Sequence, residues 1–171
     1  FNAKGDLIVL RNFTASELTA RSATFALPHA TAGTTCDFYA VANLSLSGIA
    51  TKSALLAKLE TAAADYNGTF AEVSTKAKRS GGFVMTAGVS KAVADGSTTS
   101  VPLTLKRTVA KVAVQTSIDP AFASKYSGTL TVTGTKLLRA ASQTPIIAPA
   151  TPTPGAMSFT HTQTATATSG K

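Results

Sequence analysis

The stretch of residues 101–118, VPLTLKRTVAKVAVQTSI, constrains the fold most, because it is the longest run of strand-like pattern in the chain. Side chains alternate between the two faces of a strand, so apolar residues on one buried face share one parity. Here the parity changes at residues 106–109. This change predicts either a β-bulge or a strand that leaves one sheet and enters another, and hence a β-sandwich. The two sets are Val101, Leu103 and Leu105, then Ala110, Val112, Val114 and Ile118.

Other apolar runs predict further strands, and one predicts a helix. Short apolar or alternating runs at residues 6–11, 22–27, 36–44, 83–87 and 129–138 indicate strands separated by turn signals. The helix is predicted over about residues 51–66, with Thr51 or Ser53 as the N-cap and Asn67-Gly68 as the stop. The sequence therefore predicts a mainly-β antiparallel sandwich with one helical insertion. The helical spacing is carried by Leu55, Leu56, Leu59, Ala62, Ala63 and Tyr66.

The chain of 171 residues is long enough for one domain or one and a half. The strand patterns assign residues 1–140 to one sandwich domain. Residues 145–154 contain four prolines, and the end of the chain alternates threonine with other residues. We therefore expect residues 141–171 to be a linker or the start of a second domain, with the final stretch either a solvated tail or an edge strand.

The chain is basic, with 16 Lys and Arg against 8 Asp and Glu and a formal charge of +8. These residues are spread out, and the tightest cluster (Lys76, Lys78 and Arg79) has no aromatic residues between its members for base stacking. We therefore expect a basic surface rather than a nucleic-acid partner. No apolar run approaches the roughly 20 residues of a membrane-spanning helix.

No arrangement of residues predicts an enzyme, a cofactor or a metal site. His29 and His161 lie far apart without cysteine or acidic residues at metal-ligand spacing, and the single cysteine, Cys36, lies within a strand pattern. Phosphate-binding glycine loops and the nucleophile motif G-x-S-x-G are absent. Arg107 has two interpretations that stay open: a polar anchor across the sandwich, or an edge charge that blocks aggregation.

Four local sequences resemble, in order, the N-terminal domain of the fimbrillins, the type V pilin subunits of Bacteroides-like bacteria. They cover about residues 6–140: Leu7-Ile-Val-Leu, Asp37-Phe-Tyr-Ala-Val-Ala-Asn43, the helix at 52–64 followed by Gly82-Phe-Val-Met-Thr-Ala87, and Leu103-Thr-Leu-Lys-Arg-Thr-Val-Ala-Lys-Val112. The last resembles the family strand motif at Leu103, Leu105, Arg107, Ala110 and Lys111. The first resembles the leading strand of a processed pilin at Leu7, Ile8, Val9 and Leu10.

The resemblance implies a transthyretin-like antiparallel β-sandwich of about seven strands in a structural subunit of a surface fimbria. Such subunits are made as lipid-anchored precursors at the outer membrane and processed by a protease. They polymerise by accepting a strand from a neighbouring pilin subunit and support adhesion. The alternative is a tip or accessory adhesin domain that binds host glycan or protein through loops such as residues 67–80 or 121–127.

Overall fold

A computed structural model describes residues 1–66, 81–110, 112, 114, 117–125, 130–147, 157–161, 165–166 and 168–169. The chain divides into two compact units. The first consists of Phe1–Lys58, Val84–Thr108 and Pro145–Ile147. The second consists of Leu59–Phe83, Val109–Thr144 and Ala148–Lys171. The domain boundary near residue 140 stays a prediction.

Strands contain more of the described residues than helices do, and this confirms the prediction of a mainly-β fold. The helices are α1 (Ala15–Ala20), α2 (Lys52–Leu56) and α3 (Pro120–Lys125), with 3₁₀ turns at His29–Thr31 and Ala63–Tyr66. The strands are β1 (Thr35–Ala42), β2 (Leu59–Glu60), β3 (Met85–Ala92), β4 (Lys106–Arg107), β5 (Ser117–Ile118), β6 (Thr131–Val132), β7 (Thr135–Ala140), β8 (Thr144–Pro145), β9 (Met157–His161), β10 (Ala165–Thr166) and β11 (Thr168–Ser169).

The first unit contains an antiparallel sheet in the order β1-β3-β4. Its two long strands run in register over eight residues each, from Thr35 opposite Ala92 to Ala42 opposite Met85. β1 ends at Asn43, whose φ of 65° is left-handed backbone that asparagine tolerates better than most residues. β1 coincides with the strand predicted at residues 36–44, whereas β3 shares only residues 85–87 with the strand predicted at 83–87.

A hydrophobic core packs against this sheet. Its buried members are Ile49, Leu55, Val84 and Ile146, and the last two have 0% exposure. Removing one such side chain from water stabilises the fold by about 1.5–3 kcal/mol. Half-buried neighbours complete the core: Phe1, Tyr39, Val41, Leu44, Leu46, Ala54 and Ile147.

Ile146 joins this core although it lies in the proline-rich segment that was expected to be a linker or a second domain. Its main-chain N–H donates to the Lys58 carbonyl at 3.0 Å. Its carbonyl accepts a hydrogen bond from the Thr86 hydroxyl at 2.7 Å. Two main-chain anchors and a fully buried side chain therefore fix this short segment within the first unit.

The strand predicted at residues 6–11, which includes the site residues 7–10, is wrong. Asp6 forms an isolated bridge with Thr51, and the Leu7 N–H donates to the Ala50 carbonyl at 3.0 Å, but no ladder continues from there. Among the described residues this apolar run has no neighbouring strand, and Val9 and Leu10 are exposed, at 36% and 49%. The strand predicted at residues 22–27 is likewise not formed.

A short helix follows the apolar run instead. α1 has a capping box, in which the Thr14 hydroxyl accepts from the Glu17 N–H and the Glu17 carboxylate accepts from the Thr14 N–H. Its C-cap, Arg21, has a φ of 53°. Neighbouring residues thus supply hydrogen-bond partners at both ends of this six-residue helix, although none of its residues is buried.

The helix predicted over residues 51–66 ends at Leu56, so its predicted length is wrong. Thr51 is the N-cap, as predicted, and its hydroxyl accepts from the Ala54 N–H at 3.1 Å. The chain then passes from the first unit to the second between Lys58 and Leu59. Glu60 is buried, and its carboxylate accepts from the Ala62 N–H and the Tyr66 hydroxyl. These bonds favour a strand and a 3₁₀ turn over a continued helix.

Over its described residues, the stretch at 101–118 forms neither a bulged strand nor one strand that passes between two sheets, because only residues 106–107 and 117–118 lie in strands. β4 belongs to the sheet of the first unit, whereas β5 pairs with β11 in a separate two-stranded sheet. The first unit ends at Thr108 and the second begins at Val109, within the region of the parity change. The described positions between β4 and β5 are not in a strand. The two-sheet sandwich and its count of about seven strands stay predictions.

The described strands of the second unit are mostly short. β6 pairs with β10 and β7 with β9, both antiparallel, while β5 and β11 are parallel. Gly134 lies between β6 and β7, so the strand predicted at residues 129–138 is divided into two. α3 begins at Pro120 in place of the predicted loop, and the Asp119 carboxylate accepts from the Ala121 N–H at 2.7 Å. Pairing of β9 with β7 favours the edge-strand interpretation of the final stretch.

Candidate functional site

The residues of the fimbrillin-like motif strand do not form one continuous strand. Leu103 is half-buried and Leu105 is 40% exposed, and neither lies in a strand. Arg107 lies in β4, the outermost described strand of its sheet, and is exposed, and both of its interpretations stay open. Ala110 is exposed, and Lys111 lies outside the described residues.

The described residues contain no group of three or more His, Cys, Asp and Glu side chains that could hold a metal ion. The helices among them are too short to cross a membrane. His29 faces Asp95 at 3.9 Å, with both side chains exposed. Cys36 lies in β1, in agreement with its strand pattern, and its side chain is buried at 1% exposure.

The candidate site is the outer edge of β1, the edge that faces away from β3. At Asp37 this edge is closed by Phe1. The Phe1 amino group donates to the Asp37 carbonyl at 2.9 Å, and the Asp37 N–H donates to the Phe1 carbonyl at 2.9 Å. Two bonds between one pair of residues are the pattern of an antiparallel hydrogen-bonded pair.

Further along the strand the same edge is open. Main-chain groups of a strand point alternately to its two neighbours, so those of Tyr39 and Val41 point outward as those of Asp37 do. β1 has β3 as its one neighbouring strand in the described sheet, and the described residues offer these outward groups of Tyr39 and Val41 no hydrogen-bond partner. We call these two N–H and two C=O groups the open edge.

The open edge lies directly beside the hydrophobic core. The side chains of Tyr39 and Val41 are half-buried and pack against the core cluster. The strand from residue 38 to residue 42 is about 16 Å long. Phe1 bounds this length at one end and the left-handed Asn43 at the other. An added strand of about five residues would thus gain main-chain bonds and a row of apolar neighbours together.

Charged groups stabilise the part of this edge where Asp37 bonds to Phe1, which we call the closed half. The Lys52 ammonium donates to Asp37 Oδ2 at 2.7 Å, and the Ser90 hydroxyl donates to Asp37 Oδ1. The hydrogen bond from Lys52, and next that from Ser90, lower the pKa of Asp37. The bond to Asp37 in turn raises the pKa of Lys52. This pair links α2 to β1 and β3 beside the bound Phe1.

The Tyr39 ring lies across β3 and not over the open edge. Tyr39 is directly opposite Gly88 in the register, and its ring occupies the space that a side chain at residue 88 would fill. The Phe1 ring meets it edge-on, with 5.9 Å between ring centroids and 70° between the planes. Hydrogen bonding with Tyr39 is a further, smaller contribution to the raised pKa of Lys52.

Sequence reasoning did not identify Phe1, Lys52, Gly88 or Ile146 as parts of this region. The alternation of Asp37, Tyr39 and Val41 on one face of β1 was visible in the sequence. Their partners come from four distant segments, and only the pairing register and the packing bring those segments together. Comparison of the chain with protein-family models, with curated proteins and with solved structures gave no match in any of the three.

Proposed function

We propose that the protein is a structural subunit of a bacterial surface fimbria, in which the open edge accepts a strand from a neighbouring subunit. The observation that carries the proposal is the unpaired main chain of Tyr39 and Val41 beside an apolar core. Exposed strand edges of this kind readily add an extended segment. The fimbrillin-like order of the four local sequences supports the same function.

The finer parts of the proposal follow from that resemblance. They are a transthyretin-like sandwich of about seven strands, a lipid-anchored precursor, a place at the cell surface and a contribution to adhesion. In such an assembly the partner is another pilin subunit. The chemistry is main-chain hydrogen bonding and apolar burial, and the proposal includes no catalytic step.

The test removes one donor of the open edge while keeping the fold. Val41→Pro replaces an N–H that points away from β3, and proline is tolerated in edge strands at such positions. Val41→Ala is the matched control, because it shortens the side chain and keeps the N–H. Each variant is produced in the native cells, and surface protein is run unboiled on a denaturing gel.

We expect a ladder of resistant oligomers for the unchanged protein and for Val41→Ala, and loss of the ladder for Val41→Pro with the monomer still folded. A ladder of equal strength in Val41→Pro would contradict strand addition at this edge. If the unchanged protein ran only as a monomer, without resistant oligomers, this result would contradict polymerisation itself.

The alternative function, a tip or accessory adhesin, has support from a different region. Five large apolar side chains in the segment 9–25 are exposed, and the Arg11 guanidinium lies over the rings of Phe13 and Phe25 at 6.0 and 5.6 Å. The predicted binding loop at 67–80 lies outside the described residues. Glycan arrays and host-protein panels test this function, and blank results on both would count against it. The exposed residues are Val9, Leu10, Phe13, Leu18 and Phe25.

A further inference from the structure

Gly88 is the residue that lets the Tyr39 ring lie across β3. A Cβ atom built on Gly88 would lie 2.6 Å from Cε1 and 2.7 Å from Cδ1 of the Tyr39 ring. Real Cβ atoms do not approach carbon atoms so closely, so a side chain at 88 and the present ring position exclude each other. The backbone of Gly88 is not left-handed, so its φ does not by itself require glycine.

The ring also has neighbours on its other sides. The Phe1 ring packs edge-on against it, and Lys52 lies close to its hydroxyl. Gly88 lies on β3, the side of β1 that faces away from the open edge. A ring that leaves this position has to turn away from β3. In a strand the χ1 angle has two common values, so the alternative orientation is within reach.

We propose that Gly88 is a positioning residue for the acceptor edge: its missing side chain keeps the Tyr39 ring over β3 and leaves the main chain of Tyr39 and Val41 accessible. This inference rests on the proposed function. A side chain at residue 88 turns the ring toward the open edge, where it blocks the incoming strand. Gly88 makes no contact with that strand itself and acts through Tyr39.

The experiment compares Gly88→Ala with the double variant Tyr39→Leu/Gly88→Ala in the native cells. The readout is the amount of resistant oligomer on an unboiled gel for a given amount of folded monomer. We expect Gly88→Ala to lower the amount of resistant oligomer about tenfold or more. An overpacked side chain commonly shifts an equilibrium by this much. Tyr39→Leu/Gly88→Ala restores the amount, because leucine has no ring to displace. Lys91→Ala, an exposed change on the same strand, leaves it unchanged.

The two proposals fail in different ways. A missing ladder in the unchanged protein overturns the proposed function. A normal ladder in that protein with an equal ladder in Gly88→Ala overturns the role of Gly88. Loss in both Gly88→Ala and the double variant also overturns it, since the defect would then not act through the ring. If Gly88→Ala does not fold, the double variant decides: a restored ladder supports the role and a missing one contradicts it.

Discussion

The outer edge of β1 has a closed half at Asp37 and an open half that begins two positions later, at Tyr39. At Asp37 the main chain bonds to Phe1, and the carboxylate binds Lys52 and Ser90. At Tyr39 and Val41 the outward main-chain groups have no partner in the part of the chain that the structure describes, although the side chains pack on the same core. The burial of side chains is therefore similar along the edge, and the difference lies in main-chain pairing.

This difference indicates how one strand can be both anchored and available. The charged pair and Phe1 fix one end of the strand and its register. The core supports the other end from one face without occupying its edge. An edge that is rigid before a partner arrives loses less conformational entropy on binding than a mobile one would.

Ile146→Ala should have the largest effect, because Ile146 lies in the core that supports both halves. Truncation of a fully buried isoleucine leaves a cavity, and we expect a loss of about 2–5 kcal/mol in the free energy of unfolding. Denaturant unfolding measures it. Ile147→Ala is the control, since that neighbour is partly buried and should cost clearly less. Equal losses for the two would contradict the assignment of Ile146 to the core.

Asp37→Asn should weaken the closed half alone. The substitution keeps an acceptor for Ser90 but removes the charge that binds Lys52, and we expect a loss of roughly 0.5–1.5 kcal/mol. Asp95→Asn is the matched control, because Asp95 is 72% exposed and lies 3.9 Å from His29. That control should leave the free energy of unfolding unchanged. A loss as large as that of Asp37→Asn would show that the measured effect is not specific to the closed half.

The Lys52–Asp37 contact should also make the free energy of unfolding depend on pH, with a smaller effect than the substitutions above. The pKa of Asp37 is lower in the folded chain, so its contribution is present above its unfolded pKa of about 3.9 and is lost as the pH falls below it. The pKa of Lys52 is raised, so its contribution is present below about pH 10.4 and is lost as the pH rises through its folded value. Asp37→Asn should flatten the acid side of the profile.

Glu17 provides the comparison for this measurement. Hydrogen bonds from Arg11, and next from Thr14, lower its pKa to about 2, so its contribution also disappears as the pH falls. Glu17 caps the exposed helix α1, away from the closed half. Because the pKa of Glu17 is lowered to about 2, Glu17→Gln should flatten the acid side of the profile at least as much as Asp37→Asn. An unchanged acid side in Glu17→Gln would contradict this contribution.

The sequence predicted the two long strands because their alternation is local and each has a partner. β3 extends beyond the predicted end at residue 87, since Gly88 continues the strand beneath the Tyr39 ring. The run at 7–10 has an equally apolar composition but no neighbouring strand. Periodicity reports which faces can be buried, and it does not report whether a partner exists to bury them.

Other differences have causes that lie outside the local pattern. The predicted helix was cut short because the chain changes unit after Lys58 and Glu60 is satisfied by a local turn. The sequence placed Ile146 in a linker because prolines surround it. The adjacent pair Ile146-Ile147 is nevertheless apolar enough to indicate a buried segment. The open edge could not be predicted at all, since an unpaired edge is defined by what lies next to the strand.

Hydrogen exchange at individual amides of β1 tests the central claim most directly. In the monomer, the amides of Phe38 and Ala40 point toward β3 and should exchange slowly, whereas those of Tyr39 and Val41 should exchange fast. In the fimbria all four should exchange slowly, because the incoming strand protects the outward pair. The claim would be contradicted if Tyr39 and Val41 were already protected in the monomer, or if they still exchanged fast in the assembled form.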